Sequence, residues 1–296
     1  MRILVTGSNG FFGKCILRKL SMLSSVTTLS RNNSDLLCDL VNNIPNLSNF
    51  DIVIHAAGKA HSVPKNDLEN DAFFDVNVKG TQNLLHGIEA SGKLPKSFIF
   101  ISTVAVYGLN QGNNINEKAP LLAKDPYGLS KIQAEHLVSD WCQKNNIICT
   151  ILRLPLLVDE NPPGNLGAMV NSIQKGYYFN IAGGTARKSM VLAEDVSKLL
   201  IKSSETGGIY NLTDGSHPNF YELSVAIAKQ NRKSRPFNMP FIIAKSISLF
   251  GDVVGSKFPI NSNKLKKITS DLTFDDTKAR EVLGWNPKRV LDYYGK

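Results

Sequence analysis

The feature that most constrains this chain is its beginning. A short apolar run, Ile3–Val5, passes directly into Thr6-Gly7-Ser8-Asn9-Gly10-Phe11-Phe12-Gly13 and then into a helical pattern over Phe12–Leu23. A strand that turns this quickly into a helix opens a β–α–β unit, whose next strand lies parallel to the first. Glycines at 7, 10 and 13 suit a tight turn, close backbone approach to a diphosphate and close helix–sheet packing. The helix would present its free N–H groups and positive dipole end at the same point.

The same grammar continues through the first half. Val26–Leu29, Asp51–His55, Phe98–Ser102 and Ile147–Leu152 are nearly continuous apolar runs, separated by helical patterns that include Phe73–Ala90 and Ser130–Lys144. Strands lacking polar alternation are those covered on both faces. The expectation is an α/β chain with a doubly wound parallel sheet of the Rossmann type over residues 1–160. After Asn161-Pro162-Pro163-Gly164 the elements spread out, with a strand at Gly207–Leu212 and a helix at Phe220–Gln230. Residues 161–296 are expected to form a smaller substrate-binding lobe, with about 186–212 returning to the first domain.

Composition narrows the function classes. With 42% hydrophobic and 20% charged residues in 296, the chain is neither disordered nor a disulfide scaffold. The net charge of +9 favours anionic partners. The densest basic runs, Arg232–Arg235 and Lys264–Lys267, are too short for a nucleic-acid arm, so no nucleic acid is expected. Cys15, Cys38, Cys142 and Cys149 form no CxxC pair and have no paired histidines nearby, which reads as reduced thiols in a reducing compartment. The N-terminus is not a signal peptide, and no apolar run approaches the ~20 residues needed to span a bilayer. Phe241-Ile242-Ile243-Ala244, broken by Lys245, reads as a packed helix. A soluble cytoplasmic protein is expected.

Thr-Gly-x-x-Gly-Phe-x-Gly resembles the extended short-chain dehydrogenase/reductase family, which includes nucleotide-sugar epimerases, dehydratases and 4-ketoreductases, and the resemblance runs along nearly the whole chain. It implies a nicotinamide dinucleotide over Gly7, Asn9, Gly10, Phe11, Phe12 and Gly13. NAD enzymes usually end the second strand on an acid that binds the ribose 2′-hydroxyl. Here the strand ends in Ser30-Arg31-Asn32-Asn33-Ser34 and the first acid is Asp35. A hydroxyl and a guanidinium suit a 2′-phosphate, so NADP(H) is favoured, with NAD(H) left open. By resemblance, Asp39-Leu40 meets the adenine, although Asp39 could equally be a cap. Ala56, Ala57 and Gly58 let the cofactor lie against the backbone after a structural His55, and Asn77 steadies the strands beneath.

Tyr127-Gly128-Leu129-Ser130-Lys131 carries the chemistry, because Tyr and Lys at i and i+4 share one helical face. A nearby ammonium and an oxidised nicotinamide would lower the phenol pKa, letting it exchange a carbinol proton while hydride moves. In Ile101-Ser102-Thr103-Val104-Ala105-Val106-Tyr107-Gly108 the resemblance places the catalytic hydroxyl at Thr103, with Ser102 as the alternative. Tyr107 is assigned to the substrate pocket or to packing. Sugar dehydratases of this family follow the catalytic Thr with Asp-Glu; Val104-Ala105 has no ionisable group, which argues against dehydration. No matching Cys lies near Thr103, which argues against the dual epimerase–reductases.

For the substrate, the resemblance points to Lys59, Thr103, Tyr107, Asn165, Leu166, Arg187, Lys188 and Lys267, with Pro155 flanking the nicotinamide. Asn165-Leu166 reads equally as an N-cap and a first core residue. Arg153 suits a buried ion pair, and Trp285 suits core packing. His61 stands where 4-ketoreductases of bacterial surface-polysaccharide assembly tend to carry a histidine. The resulting expectation is NADP(H)-dependent reduction of a UDP-4-keto-6-deoxy-N-acetylhexosamine at C4. A 4-epimerase is the alternative, and a non-catalytic NADP sensor is further off because both Tyr127 and Lys131 are present. Family members pair the helices equivalent to Phe73–Ala90 and Ser130–Lys144, so a homodimer is expected.

Overall fold

The computed structural model describes residues 1–21, 25–60, 64, 66–254 and 261–295; His61 lies outside them. The strands are β1 Arg2–Thr6, β2 Ser25–Ser30, β3 Leu36–Leu37, β4 Ile52–His55, β5 Ser97–Thr103, β6 Gly112–Ile115, β7 Ile148–Leu154, β8 Leu156–Val158, β9 Phe179–Ile181, β10 Met190–Leu192, β11 Gly208–Asn211, β12 Phe237–Met239 and β13 Leu272–Phe274. The helices are α1 Phe11–Leu20, α2 Asp67–Phe74, α3 Gly80–Ala90, α4 Pro126–Lys144, α5 Gly164–Lys175, α6 Ala193–Thr206, α7 Phe220–Gln230, α8 Phe241–Val254, α9 Ser262–Thr269, α10 Thr277–Leu283 and α11 Val290–Tyr294.

Seven strands form one parallel sheet in the order β11-β7-β5-β4-β1-β2-β3. This is the doubly wound Rossmann arrangement. The chain moves outward from β1 through β2 and β3, then returns to place β4 on the other side of β1. The crevice at the carboxyl ends of β1 and β4 is therefore the topological switch point, where such sheets bind ligands. Ile3, Leu4 and Val5 have no exposed surface because helices cover both faces. One face packs with α1, which buries Phe12, Cys15, Ile16 and Leu20 at helical spacing, and with α6. The other carries Leu84, Leu85 and Ile88 of α3 and Ala134, Val138 and Trp141 of α4.

The later elements make three short parallel pairs, β10 with β8, β12 with β9 and β13 with β6. α5, α7 and α11 enclose a third cluster around Leu166, Ile173, Leu223, Ile227 and Val290. Trp285 is buried and its indole N–H donates to the Thr213 carbonyl at 2.9 Å. All four cysteines are free thiols. No described helix is long and apolar enough to cross a membrane.

Two sequence expectations need correction. α4 begins at Pro126, four residues before the expected start, because Asp125 caps it by accepting from the Gly128 amide at 3.0 Å and Pro126 supplies a preset first helical φ. Tyr127 is thereby in the first turn of the helix. The run Phe241–Ala244 is helical, but only Ala244 is packed. Phe241, Ile242 and Ile243 face outward, because the helix rests on its small residues.

Candidate active site

The glycine loop is shaped by close approach. Gly7 has φ +69°, and a Cβ there would lie 2.5 Å from the Ala57 nitrogen; one on Gly13 would lie 2.1 Å from the Gly7 carbonyl oxygen. No side chain fits either position. The loop thus sits directly on the Ala56-Ala57 backbone at the switch point, below the first turn of α1. Gly10 is the N-cap and provides no side-chain cap, leaving the first-turn N–H groups directed into the crevice. Ser8 is buried and its hydroxyl has no partner within the protein. A buried unpaired hydroxyl beside a helix N-terminus matches a diphosphate's need for donors, so this cradle fits a dinucleotide. Ser8 was not singled out from sequence, because its position in a glycine loop does not reveal an orphaned hydroxyl.

Asn9 is a clamp: its amide donates to Ser30 Oγ at 2.8 Å and to the Asn32 carbonyl, tying the loop to the end of β2. Ser30 is also bonded to the Asn32 carbonyl and to Ser34. Asp35, the first acid after β2, is turned back. Its carboxylate accepts from the Thr28 amide and hydroxyl, both at 2.8 Å, which holds it below the usual carboxylate range. Arg31 is exposed and, with Cys38 and Asp39, lines a cavity of about 310 Å³. Asp39 caps a turn, accepting from the Val41 amide at 3.3 Å and the Asn42 amide group at 2.7 Å. Leu40 is buried in the core. Pro155 bridges β7 and β8, half-buried.

Beneath the crevice, His55 joins three elements. Its Nδ1 pairs with Thr6 Oγ1 at 2.6 Å and its Nε2 with Thr81 Oγ1 at 2.8 Å. Burial, aided by the Lys131 charge, pushes its pKa down to about 3, so it is neutral and structural. Asn77 lies in a π-helical turn, Asp75–Lys79, between α2 and α3. Its carbonyl oxygen accepts from the Lys59 amide at 2.7 Å, and its NH2 donates to the Lys59 carbonyl at 3.1 Å and to Ser130 Oγ at 2.9 Å. Asn77 therefore stitches the loop after β4, including Gly58, to the helix that carries Tyr127 and Lys131. The wider turn is what aims it inward, a usual role for a π-bulge.

β5 ends at Thr103 and α4 starts at Pro126, so Thr103 and Tyr127 meet at the carboxyl edge of the sheet. The Thr103 hydroxyl lies close enough to the Tyr127 phenol to favour its ionised form. Gly128 permits this approach, since a Cβ there would meet the Ala123 methyl at 2.4 Å. Ser102, the alternative hydroxyl, faces the opposite way and donates to Glu135. In the protein alone, burial raises the Tyr127 phenol and outweighs the lowering influence of Thr103, while the Lys131 ammonium is directed at the Ile101 carbonyl, 2.7 Å away, over the Phe100 ring. Burial lowers Lys131 to about 7, opposed by the charge of Glu135. A buried lysine shifted this far, behind a tyrosine and a threonine at the crevice, marks the trio as a candidate for proton transfer.

Behind this trio is a network that sequence did not assemble. Arg153 on β7 forks onto Glu135 of α4, with Nη2–Oε2 at 2.7 Å and Nε–Oε1 at 3.1 Å, and both side chains are buried. Arg153 Nη1 also donates to the Tyr107 hydroxyl at 3.1 Å, which donates to Asn211 at 2.8 Å. Tyr107 is fully buried and stacked on Phe274, so it packs the wall behind the crevice and presents no surface to a ligand. Asp125 and Glu135 were the missed residues. Asp-Pro before a helical run was the available signal for the first, but nothing in the sequence pairs Glu135 with Arg153.

The residues assigned to the substrate are dispersed. Lys59 lies beside the crevice with its ammonium over the Phe73 ring. Asn165 is exposed in the first turn of α5, whose N-cap is Pro163, and Leu166 is core. Lys188 is half-buried and donates to the Lys267 and Ser270 carbonyls at 3.0 and 2.9 Å, so its charge closes the end of α9. The Arg187 and Lys267 side chains are exposed.

Fold and site together define a dinucleotide-binding α/β protein of the short-chain dehydrogenase/reductase kind. The profile of the NAD dependent epimerase/dehydratase family matches residues 3–213, and the chain belongs to that family of enzymes. It is 27% identical, over 94% of its length and 88% of the relative's, to N-acetyl-alpha-D-glucosaminyl-diphospho-ditrans,octacis-undecaprenol 4-epimerase of Escherichia coli O157:H7. It is 26% identical, over 98% of its length and 92% of the relative's, to a UDP-glucose 4-epimerase of Vibrio cholerae. Its fold superposes with a TM-score of 0.78 on the UDP-glucose 4-epimerase of Thermotoga maritima with UDP-glucose, at 20% identity and covering 100% and 96% of the two chains.

Proposed function

We propose that the protein is an oxidoreductase acting at C4 of a diphosphate-linked sugar, as a 4-epimerase. The observation that carries this is the meeting of Thr103 and Tyr127 at the carboxyl edge of the sheet, with Thr103 followed by Val104-Ala105 rather than by an acid pair. The two relatives described above, matched over nearly their whole lengths, are 4-epimerases. The glycine loop, Ser8, Ala56 and Ala57 would hold the dinucleotide, which would supply the acceptor and donor of hydride at C4. Thr103 orients the C4 oxygen by hydrogen bonding, and Tyr127 takes the C4 hydroxyl proton as C4 is oxidised. Once the ketone has turned its other face, Tyr127 gives the proton back. Lys131 balances the phenolate. Arg187 and Lys267 are the exposed cations proposed for the diphosphate.

A second reading, net reduction of a 4-keto sugar by NADPH, is favoured by the end of β2. Asp35 is turned back onto Thr28, and Arg31 is the basic group lining the cavity, with Asp39 as its acid. The deciding experiment supplies UDP-N-acetylglucosamine, UDP-glucose and UDP-4-keto-6-deoxy-N-acetylglucosamine in turn with NADH or NADPH. Interconversion of C4 epimers without net change in absorbance at the nicotinamide band supports the epimerase. Stoichiometric NADPH oxidation with the keto sugar establishes the reductase instead. We also propose a homodimer through α3 and α4; sedimentation velocity showing a monomer at micromolar concentration would refute it.

A further inference from the structure

α8 is assembled inside out. Its buried seam is Ala244, Ser248 and Gly251, three small residues at i, i+4 and i+7, while Ile242 (77% exposed), Leu249 (53%), Ile243 and Val254 face outward. The same end of the molecule carries the β9–β12 pair, where Phe179 and Phe237 stand in register and are both exposed, Phe237 by 77%. β12 runs through Pro240 straight into α8, and α8 packs against the turn Ala182–Gly184 that follows β9, so these apolar side chains share one region. Large apolar groups turned outward from a helix that buries its small ones mark a surface for another phase or partner.

Charge says which. Between residues 231 and 270 the sequence has eight Lys or Arg and one acid, Asp252. Arg232, Lys233 and Arg235 precede β12, Lys245 lies on α8, and Lys264, Lys266 and Lys267 lie on α9, which packs on α8. Seven cations among the described residues thus accompany the exposed apolar side chains. A second copy placed on this face by a two-fold axis would bring two such cationic segments together. Aliphatic and aromatic groups ringed by lysine and arginine match the acyl–headgroup boundary of an anionic bilayer.

We propose that β12, α8 and α9 form a docking surface for an anionic membrane, on which the protein sits peripherally. The inference does not depend on which C4 reaction the site performs. It is tested by co-sedimentation of the intact chain with vesicles of phosphatidylglycerol and phosphatidylethanolamine, against vesicles of phosphatidylcholine alone. Binding is expected to be at least about tenfold stronger on the anionic vesicles and to fall as salt is raised. The double variant Ile242→Glu/Leu249→Glu is expected to lose at least about tenfold in binding, with an unchanged circular dichroism spectrum and dinucleotide affinity. Equal partition to both vesicle types, or no salt dependence, overturns the proposal; both are read on the unaltered protein, so the outcome does not rest on the variant folding. A wild-type dimer that becomes monomeric in the variant, without vesicle binding by either, would assign the face to a second copy and overturn it as well.

Discussion

The pair Arg153–Glu135 offers the sharpest test of how the site is supported. Arg153→Leu removes the guanidinium from a carboxylate that is 2% exposed, leaving Glu135 with Ser102 as its remaining donor. Breaking a buried pair from one side destabilises by about 3–5 kcal/mol, because the remaining charge is uncompensated. Loss of the Arg153 bond to Tyr107 adds about 1 kcal/mol. Unfolding entropy of about 2.1 cal/mol/K per residue gives a chain of 296 residues about 0.6 kcal/mol/K, so the expected fall in Tm is about 5–10 °C. Replacing both partners, Glu135→Leu/Arg153→Leu, leaves no half of the pair uncompensated and loses the bonds to Ser102, Tyr107 and the Glu117 carbonyl. That variant should be within about 2 kcal/mol of the parent. The assay is urea unfolding of the two single variants and the double variant, followed by fluorescence. If Arg153→Leu shifts stability by less than about 1 kcal/mol, or if the double variant loses the sum of the two singles, the network is not a coupled buried pair.

Three further outcomes are expected. Tyr127→Phe should lower kcat by about 10²–10⁴-fold while dinucleotide affinity, measured by fluorescence titration, stays near that of the parent. Glu135→Gln removes the charge that raises Lys131, so the Lys131 pKa should fall below about 7 and the alkaline limb of the kcat/KM profile should move to lower pH, an unmoved limb refuting the coupling. His55, held neutral with its pKa lowered from 6.5 to about 3, makes the unfolded chain bind the extra proton between those values. Its contribution is full above pH 6.5 and lost as pH falls toward 3; urea midpoints that decline equally with acid in His55→Asn would count against this.

Much of the fold was legible in the sequence because period and punctuation are local. Ile3–Val5, Ile52–Ile54 and Phe98–Ile101 are apolar throughout, as strands covered on both faces are. Gly7 and Gly13 announced the phosphate loop because backbone crowding leaves no space for a Cβ. The four-residue spacing of Tyr127 and Lys131 alone puts both on one helical face.

What tertiary structure alone decided is pairing and direction. Ser102 and Thr103 are neighbours of similar chemistry, and only the pleat of β5 sends one to Glu135 and the other to Tyr127. Glu135 and Arg153 lie on different elements, and their register across α4 and β7 sets the salt bridge. The outward turn of α8 was illegible because a run such as Phe241–Ile243 reads the same whether its apolar side chains meet a core or a surface. Composition reports that a side chain is apolar; only the neighbouring elements determine what it meets. The sequence by itself therefore determined the strand–helix order, the tight glycine loop and the shared helical face of Tyr127 and Lys131, which depend on local spacing. The tertiary structure determined the environment that lowers Lys131 and the face that α8 presents, which depend on burial by distant segments.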